Sequence, residues 1–205
     1  MYLVKSPILL KWYYPSLTWN KSRDHKVIYL TFDDGPIPDV TEFVIKTLKS
    51  FNAKATFFCI GENISKHPDI FNKIKNEGHS IGNHTFNHLN GWQTPDDIYL
   101  SNFQMCQELT GTNLFRPPYG RISKSQISKI KSSHPETQII MWDVLSADFD
   151  IAINPETCYK NVVKHTKNGS VIVFHDSLKA YDRLRPALTA VLKYFTELGY
   201  TFNAL

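Results

Sequence analysis

"IYLTFDDGP", residues 28–36, is the stretch on which the fold of this chain turns. Its first five residues are apolar, aromatic or β-branched, and a Gly-Pro turn closes it, which is the composition of a buried β-strand and its exit. Asp33 and Asp34 stand at the carboxyl end of that strand. Asp, Gly and Pro are ordinary turn and capping residues. Two adjacent carboxylates nevertheless repel unless a cation or a proton is shared between them. What surrounds them therefore decides their meaning.

Outward from this strand, short apolar runs alternate with helical patterns. The helical pattern of residues 40–52 places Phe43, Val44, Thr47, Leu48 and Phe51 on one face. Further strands are predicted over residues 54–61, 137–145, 169–176 and 200–205, with a short strand that dissolves into polar residues over 79–84 and a short strand into a proline turn over 114–120. Helices are predicted over 67–78, 94–111, from Lys124, from Asn154-Pro155, and over 187–199. In the helix predicted over 94–111, Thr94 has the position of an N-cap, Pro95 of a first helical residue and Asp97 of a capping-box acid. Strand and helix taking turns imply parallel pairing with right-handed crossovers, hence an α/β domain whose chemistry sits at the carboxyl ends of the strands.

Composition bounds the rest. At 205 residues, 42% hydrophobic and 20% charged, the chain supports one core: a catalytic domain over 27–205, with residues 1–26 as a segment packed on it. The net charge of +4 is modest and no basic run alternates with exposed aromatics, so nucleic acid is not an expected partner. Cys59, Cys106 and Cys158 have no paired spacing and read as buried small residues. Lys5, Pro7 and Lys11 interrupt the N-terminus before any apolar run reaches the ~7–15 residues of a secretion signal. Nor does any stretch reach the length of a bilayer span. The expectation is a cytoplasmic protein, with peripheral membrane association left open. Trp12, Tyr13, Tyr14 and Trp19 suit either a membrane interface or packing against the domain, the simpler reading. Oligomeric state has no signal in the sequence.

The strand ends carry the chemistry. His84 and His88 in "NHTFNH" are four apart, and on a helix that spacing would point both imidazoles one way, as zinc sites use it. Two histidines and one carboxylate, with a position left for water, form a recurring catalytic zinc arrangement; Asp34 or Asp33 could supply the carboxylate. Arg116 in "RPPYG" follows another strand, and its prolines could hold the Tyr119 amide towards a pocket. Asp148 follows "IIMWDV", and His175 ends "VIVFH". Each residue alone has a structural explanation; five such groups at five strand ends point to metal-assisted hydrolysis. There is no nucleophile elbow, P-loop or dinucleotide fingerprint.

In order, "TFDDGP", "NHTFNH", "RPPYG", the "WDVLSADFD" region and "VIVFHD" resemble the five motifs of the polysaccharide deacetylases, carbohydrate esterase family four. The resemblance implies a distorted, incompletely closed (β/α) barrel of parallel strands and removal of acetyl groups from N-acetylated sugars. It implies Asp33 as general base, and Asp34, His84 and His88 as ligands of Zn2+, or of another divalent metal such as Co2+. Arg116 would hold Asp33, the Tyr119 amide would share the oxyanion, and His175 would be the general acid with Asp148 as its partner. Val173 takes the place of the usual pocket leucine, and Phe149 that of a tryptophan. The implied partner is an acetylated oligo- or polysaccharide such as chitooligosaccharide or peptidoglycan. An O-acetyl esterase acting on xylan-like sugars and a catalytically silent glycan-binding protein are the alternatives.

Overall fold

Strand and helix take turns along residues 2–205, which the computed structural model of this chain describes; residue 1, where the N-terminal segment begins, lies outside the described residues. The elements are α1 (Ile8–Tyr13), β1 (Val27–Asp33), α2 (Val40–Ser50), β2 (Ala55–Cys59), α3 (Gly61–Lys66), α4 (Pro68–Asn76), β3 (Ser80–Asn83) and α5 (Asp96–Thr110). They continue with β4 (Leu114–Phe115), a 3₁₀ turn at Pro118–Gly120, α6 (Lys124–Ser133), β5 (Gln138–Ile139) and β6 (Val144–Leu145). The last are α7 (Pro155–His165), β7 (Val171–His175), α8 (Tyr181–Glu197) and β8 (Thr201–Phe202).

Seven strands lie in the order β5-β4-β3-β2-β1-β7-β6, and β8 pairs with the start of β1; all the pairings are parallel. The sheet curls but stays open, because β5 and β6 do not pair among the described residues. Alternation along β1 sorts its side chains by face. Ile28, Leu30 and Phe32 enter the main core under the helices, where Phe32 stacks with Phe57 and Phe174. Tyr29 joins a small cluster with Phe58, Ile140 and Val171 on the other face, and Thr31 and Asp33 meet the buried Arg116. The pleat alone thus points Asp33 into the barrel.

Three local expectations are corrected. Residues 137–145 form two short strands, not one: β5 and β6 are the two edges of the open seam. Between them the backbone bonds instead to the N-terminal segment. Thr18 N–H donates to Ile139 O and Met141 N–H to Thr18 O, while Ser6 N–H donates to Asp143 O and Leu145 N–H to Val4 O. The segment before β1 satisfies edge groups that a closed barrel would pair strand to strand. Secondly, α5 begins at Asp96, one residue later than expected, with no side-chain cap, because the Thr94 hydroxyl donates to Asn90 O. Thirdly, α3 has no counterpart among the predicted elements: "GENISK" has no long periodic pattern, and its place is set by contacts with the loops at the strand ends.

A buried carboxylate locks the segment in place. Asp143 is fully buried and accepts from Lys5, Lys11 and Arg23 at 2.8, 2.7 and 3.0 Å, and from Ser170 Oγ at 2.7 Å. Burial would raise its pKa, but the bonds from Lys11, Lys5, Ser170 and Arg23 hold it well below the usual carboxylate range. A carboxyl depressed on folding contributes stability above its unfolded pKa and loses it as pH falls. Asp143→Asn would leave three cations facing one another, at an expected cost of about 3 kcal/mol. Urea unfolding at neutral pH measures this, and the difference between variant and wild type should shrink in acid.

Candidate active site

At the carboxyl ends of the strands, loops in unusual backbone conformations face one another. Of the seven non-glycine residues with positive φ among the described residues, five (Asp34, Thr85, His88, Tyr119 and Ala147) lie on these loops. Each such conformation costs on the order of 1–3 kcal/mol and persists only where neighbouring structure imposes it. Those neighbours can be named.

The loop after β3 departs from the helical geometry that would align His84 and His88 by spacing alone. Its amides are taken by side chains rather than by carbonyls four residues back: Asn83 Oδ1 accepts from Thr85 N–H, and Asn102 Oδ1 on α5 accepts from Phe86 and Asn87 N–H. The N-terminal amides of α3, from Gly61 and Glu62, donate to the carbonyls of Thr85 and Phe86. The loop is thus clamped between two helices. Asn63 on α3 also donates to Asp34 O, so one helix braces both halves of the cluster.

The turn after β1 rests on Asp176, which follows His175 at the end of β7 and belongs to none of the expected site residues. Its Oδ1 accepts from Gly35 N–H at 3.1 Å and its Oδ2 from Thr41 Oγ1 at 2.6 Å. A Cβ on residue 35 would lie 2.0 Å from Asp176 Oδ2, which is the physical reason for glycine in "DDGP". Burial pushes the Asp176 carboxyl up to about 8.

With the loops held, three donors converge. Asp34 Oδ1 lies 3.3 Å from His88 Nε2 and 3.8 Å from His84 Nε2, and the three ligand atoms fall within 4.8 Å of one another. Asp34 Oδ1 is buried and takes no hydrogen bond among the described residues. His84 Nδ1 donates to Arg116 O at 2.7 Å, which fixes its tautomer and leaves the Nε2 lone pair facing Asp34. Burial lowers the His84 pKa to about 4, so the imidazole is neutral, as a metal ligand must be. An orphaned carboxylate oxygen beside two imidazole nitrogens is a donor set that fits a divalent transition metal.

Two charge pairs flank this triad. Fully buried Arg116 donates through Nη1 to Asp33 Oδ1 at 2.6 Å and to Thr31 Oγ1 at 2.7 Å. Its other nitrogens bond to Ile140 O and Met141 O, and the guanidinium stacks 4.1 Å over Phe58. On the other side, Asp148 accepts from both His175 Nδ1 at 2.7 Å and His175 N–H at 2.8 Å. Burial would lower the His175 pKa, but the Asp148 charge and hydrogen bond outweigh it and raise it to about 9. His175 therefore carries a proton at neutral pH. Activity that needs this proton should fall as pH rises through about 9, and Asp148→Asn should move that limb acidward, which a kcat/KM–pH profile measures.

These residues open on a cavity of about 580 Å³ lined by Asp33, Asp34, His84, His88, Tyr119 and His175, with Val173 and Phe149 in its wall. Arg116 and Asp148 lie beneath, behind the side chains they hold. The Tyr119 ring packs 4.6 Å from His88 and is largely exposed. Sequence reasoning missed Tyr2. It lines the same cavity, packs edge-on against Phe149 at 5.2 Å, and donates to Asp150 Oδ2 at 2.6 Å. Phe149 in turn packs edge-on against His175 at 5.2 Å. No motif could have disclosed Tyr2, since only the threading of the N-terminal segment through the seam brings it there.

A sequence profile described as polysaccharide deacetylase matches residues 20–134, more than half of the chain. The chain belongs to the polysaccharide deacetylase family. It is 33% identical over 193 residues to a peptidoglycan-N-acetylglucosamine deacetylase of Bacillus cereus, covering 91% of this chain and 89% of that one. It is also 33% identical over 162 residues to a chitooligosaccharide deacetylase of Azorhizobium caulinodans, covering 76% of each. The crystal structure of the Bc1960 peptidoglycan N-acetylglucosamine deacetylase with 4-naphthalen-1-yl-N-oxidanyl-benzamide superposes with a TM-score of 0.89 at 30% identity, over 98% of this chain and 95% of that one. The open, curled parallel barrel is the fold of these carbohydrate esterase family four enzymes. This deacetylase is accordingly a hydrolase of a metal-dependent family.

Proposed function

We propose that this deacetylase removes N-acetyl groups from N-acetylglucosamine-containing oligo- or polysaccharides. The observation that carries the reading is the placement of Asp33–Arg116 and His175–Asp148 on either side of the Asp34, His84 and His88 triad in one cavity. The relatives' activities, on peptidoglycan and chitooligosaccharide, support the same substrate class.

The triad would hold zinc, which when bound supplies a Lewis acid for the acetyl carbonyl and lowers the pKa of water. Asp33 is the base. Its Oδ1 is tied to Arg116, so the other carboxylate oxygen accepts the proton of the attacking water. Asp148 fixes His175 Nδ1, which leaves Nε2 as the atom that hands its proton to the departing amine. The Tyr119 amide donates to the developing oxyanion, a contact typically worth ~3–4 kcal/mol in such sites. Val173 and Phe149 enclose the acetyl methyl, and Phe149 keeps the ring of His175 from turning.

The test is acetate release from N-acetylglucosamine oligomers by chelated and by zinc-reconstituted protein, with acetylated xylan run alongside. Zinc-dependent release from the oligomers is the expected result. Release from xylan alone would replace the amide substrate by an ester, and no release from either would overturn the reading.

A further inference from the structure

Helix α1 is built inside out. Its lysine, Lys11, points inwards to Asp143 at 2.7 Å, while Ile8, Leu9, Trp12 and Tyr13, which share one helical face, are each more than 60% exposed. A surface helix ordinarily does the reverse, with its apolar stripe on the core. The exposure is concentrated here: of fifteen large hydrophobic side chains exposed on the described residues, seven belong to the first thirteen positions. An apolar patch gathered in this way marks an interaction surface.

Charge is gathered in the same place. Residues 1–26 hold Lys5, Lys11, Lys21, Arg23 and Lys26 against a single acid, Asp24. With these set aside from the chain's 23 basic and 19 acidic residues, 18 of each remain, so the whole net charge of +4 resides in this segment. Lys124 of α6 adds a further cation, 4.1 Å over the Tyr13 ring.

We propose that α1 and its basic flanks dock the protein onto the surface of a bilayer that carries anionic lipids. Trp12 and Tyr13 have the amphipathic rings that settle at the headgroup level, with Ile8 and Leu9 beside them to enter the acyl boundary. Lys21, Lys26 and Lys124, which lie outside the Asp143 cluster, meet the negative surface potential. No helix among the described residues is long and apolar enough to cross a membrane, so the contact is one of lying on the surface. The patch fits other occupants less well. A second copy of this face would bring two segments together that each keep an excess of positive charge even after Asp143 is counted, and a soluble anionic polymer offers nothing apolar to cover Ile8 and Leu9. Anchored by Asp143 and by the seam hydrogen bonds, α1 is presented on a rigid base.

Flotation of the full chain with phosphatidylcholine vesicles, with and without phosphatidylglycerol, tests this. The wild type should float with the anionic vesicles only, and less so at high salt. Ile8→Ser/Leu9→Ser/Trp12→Ser changes only exposed side chains and should reduce partitioning about tenfold or more at unchanged Tm. Lys21→Glu, outside the Asp143 cluster, should also weaken binding to anionic vesicles. Wild type that stays unbound, or a triple variant that floats as well as wild type, would overturn the proposal. So would equal binding of both proteins to soluble poly(glycerol phosphate), which would make the patch a polymer site.

Discussion

Asp33→Asn should lower kcat on an N-acetylated oligosaccharide by about 10³-fold or more while leaving metal content unchanged. The amide matches the carboxylate in shape, and its oxygen can still accept from Arg116 Nη1, so the position of residue 33 is retained. What disappears is the capacity to take a proton from water. Asp33 lies on β1 while the proposed ligands lie on the turn after it and on the loop after β3, so the metal should stay. Some stability should be lost, because Arg116 is fully buried and then lacks its counter-charge. Single-turnover acetate release, with metal analysis of the same sample, separates these effects. Near-normal turnover by the variant would remove Asp33 from the role of base.

His84→Ala should cost the metal itself, and with it nearly all turnover. Removing a group that merely orients a ligand typically lowers metal affinity 10–100-fold, so removal of one of three protein ligands should exceed about 100-fold. His84 is the most enclosed of the three, with its Nδ1 held by Arg116 O. Metal content after dialysis is the direct measurement, and acetate release at saturating zinc shows whether mass action restores the site. Retention of stoichiometric metal would displace His84 from the ligand set. Asp176→Asn offers a contrast: it supports the turn through Gly35 without reaching the cavity and should weaken metal binding far less.

Much of this architecture could be read directly. Strand-helix alternation, the parallel sheet, and the delivery of Asp33, Asp34, His84, Arg116, Asp148 and His175 to one end are consequences of local pattern and of the rule that such sheets carry chemistry at strand ends. The resemblance of five ordered motifs narrowed that chemistry, and the family match bears out the fold.

Other features have no local cause. "TQIIMWDVL", apolar except for Thr137, Gln138 and Asp143, reads as one strand, yet its two ends pair with different neighbours, β4 and β7, across an open seam. Nothing in those nine residues encodes the seam; it follows from how far the sheet curls before its edges meet. The same holds for Tyr2 beside Phe149, for Asp143 under three cations, and for α3 bracing two loops at once. Periodicity reports which face of an element is buried, because that depends on neighbours three or four residues away. What a residue touches across more than a hundred positions depends on the closure of the whole sheet. The chain itself determined the elements and the chemical groups at their ends; tertiary structure alone decided that the barrel stays open, what fills the gap, and which side chains hold the others in place.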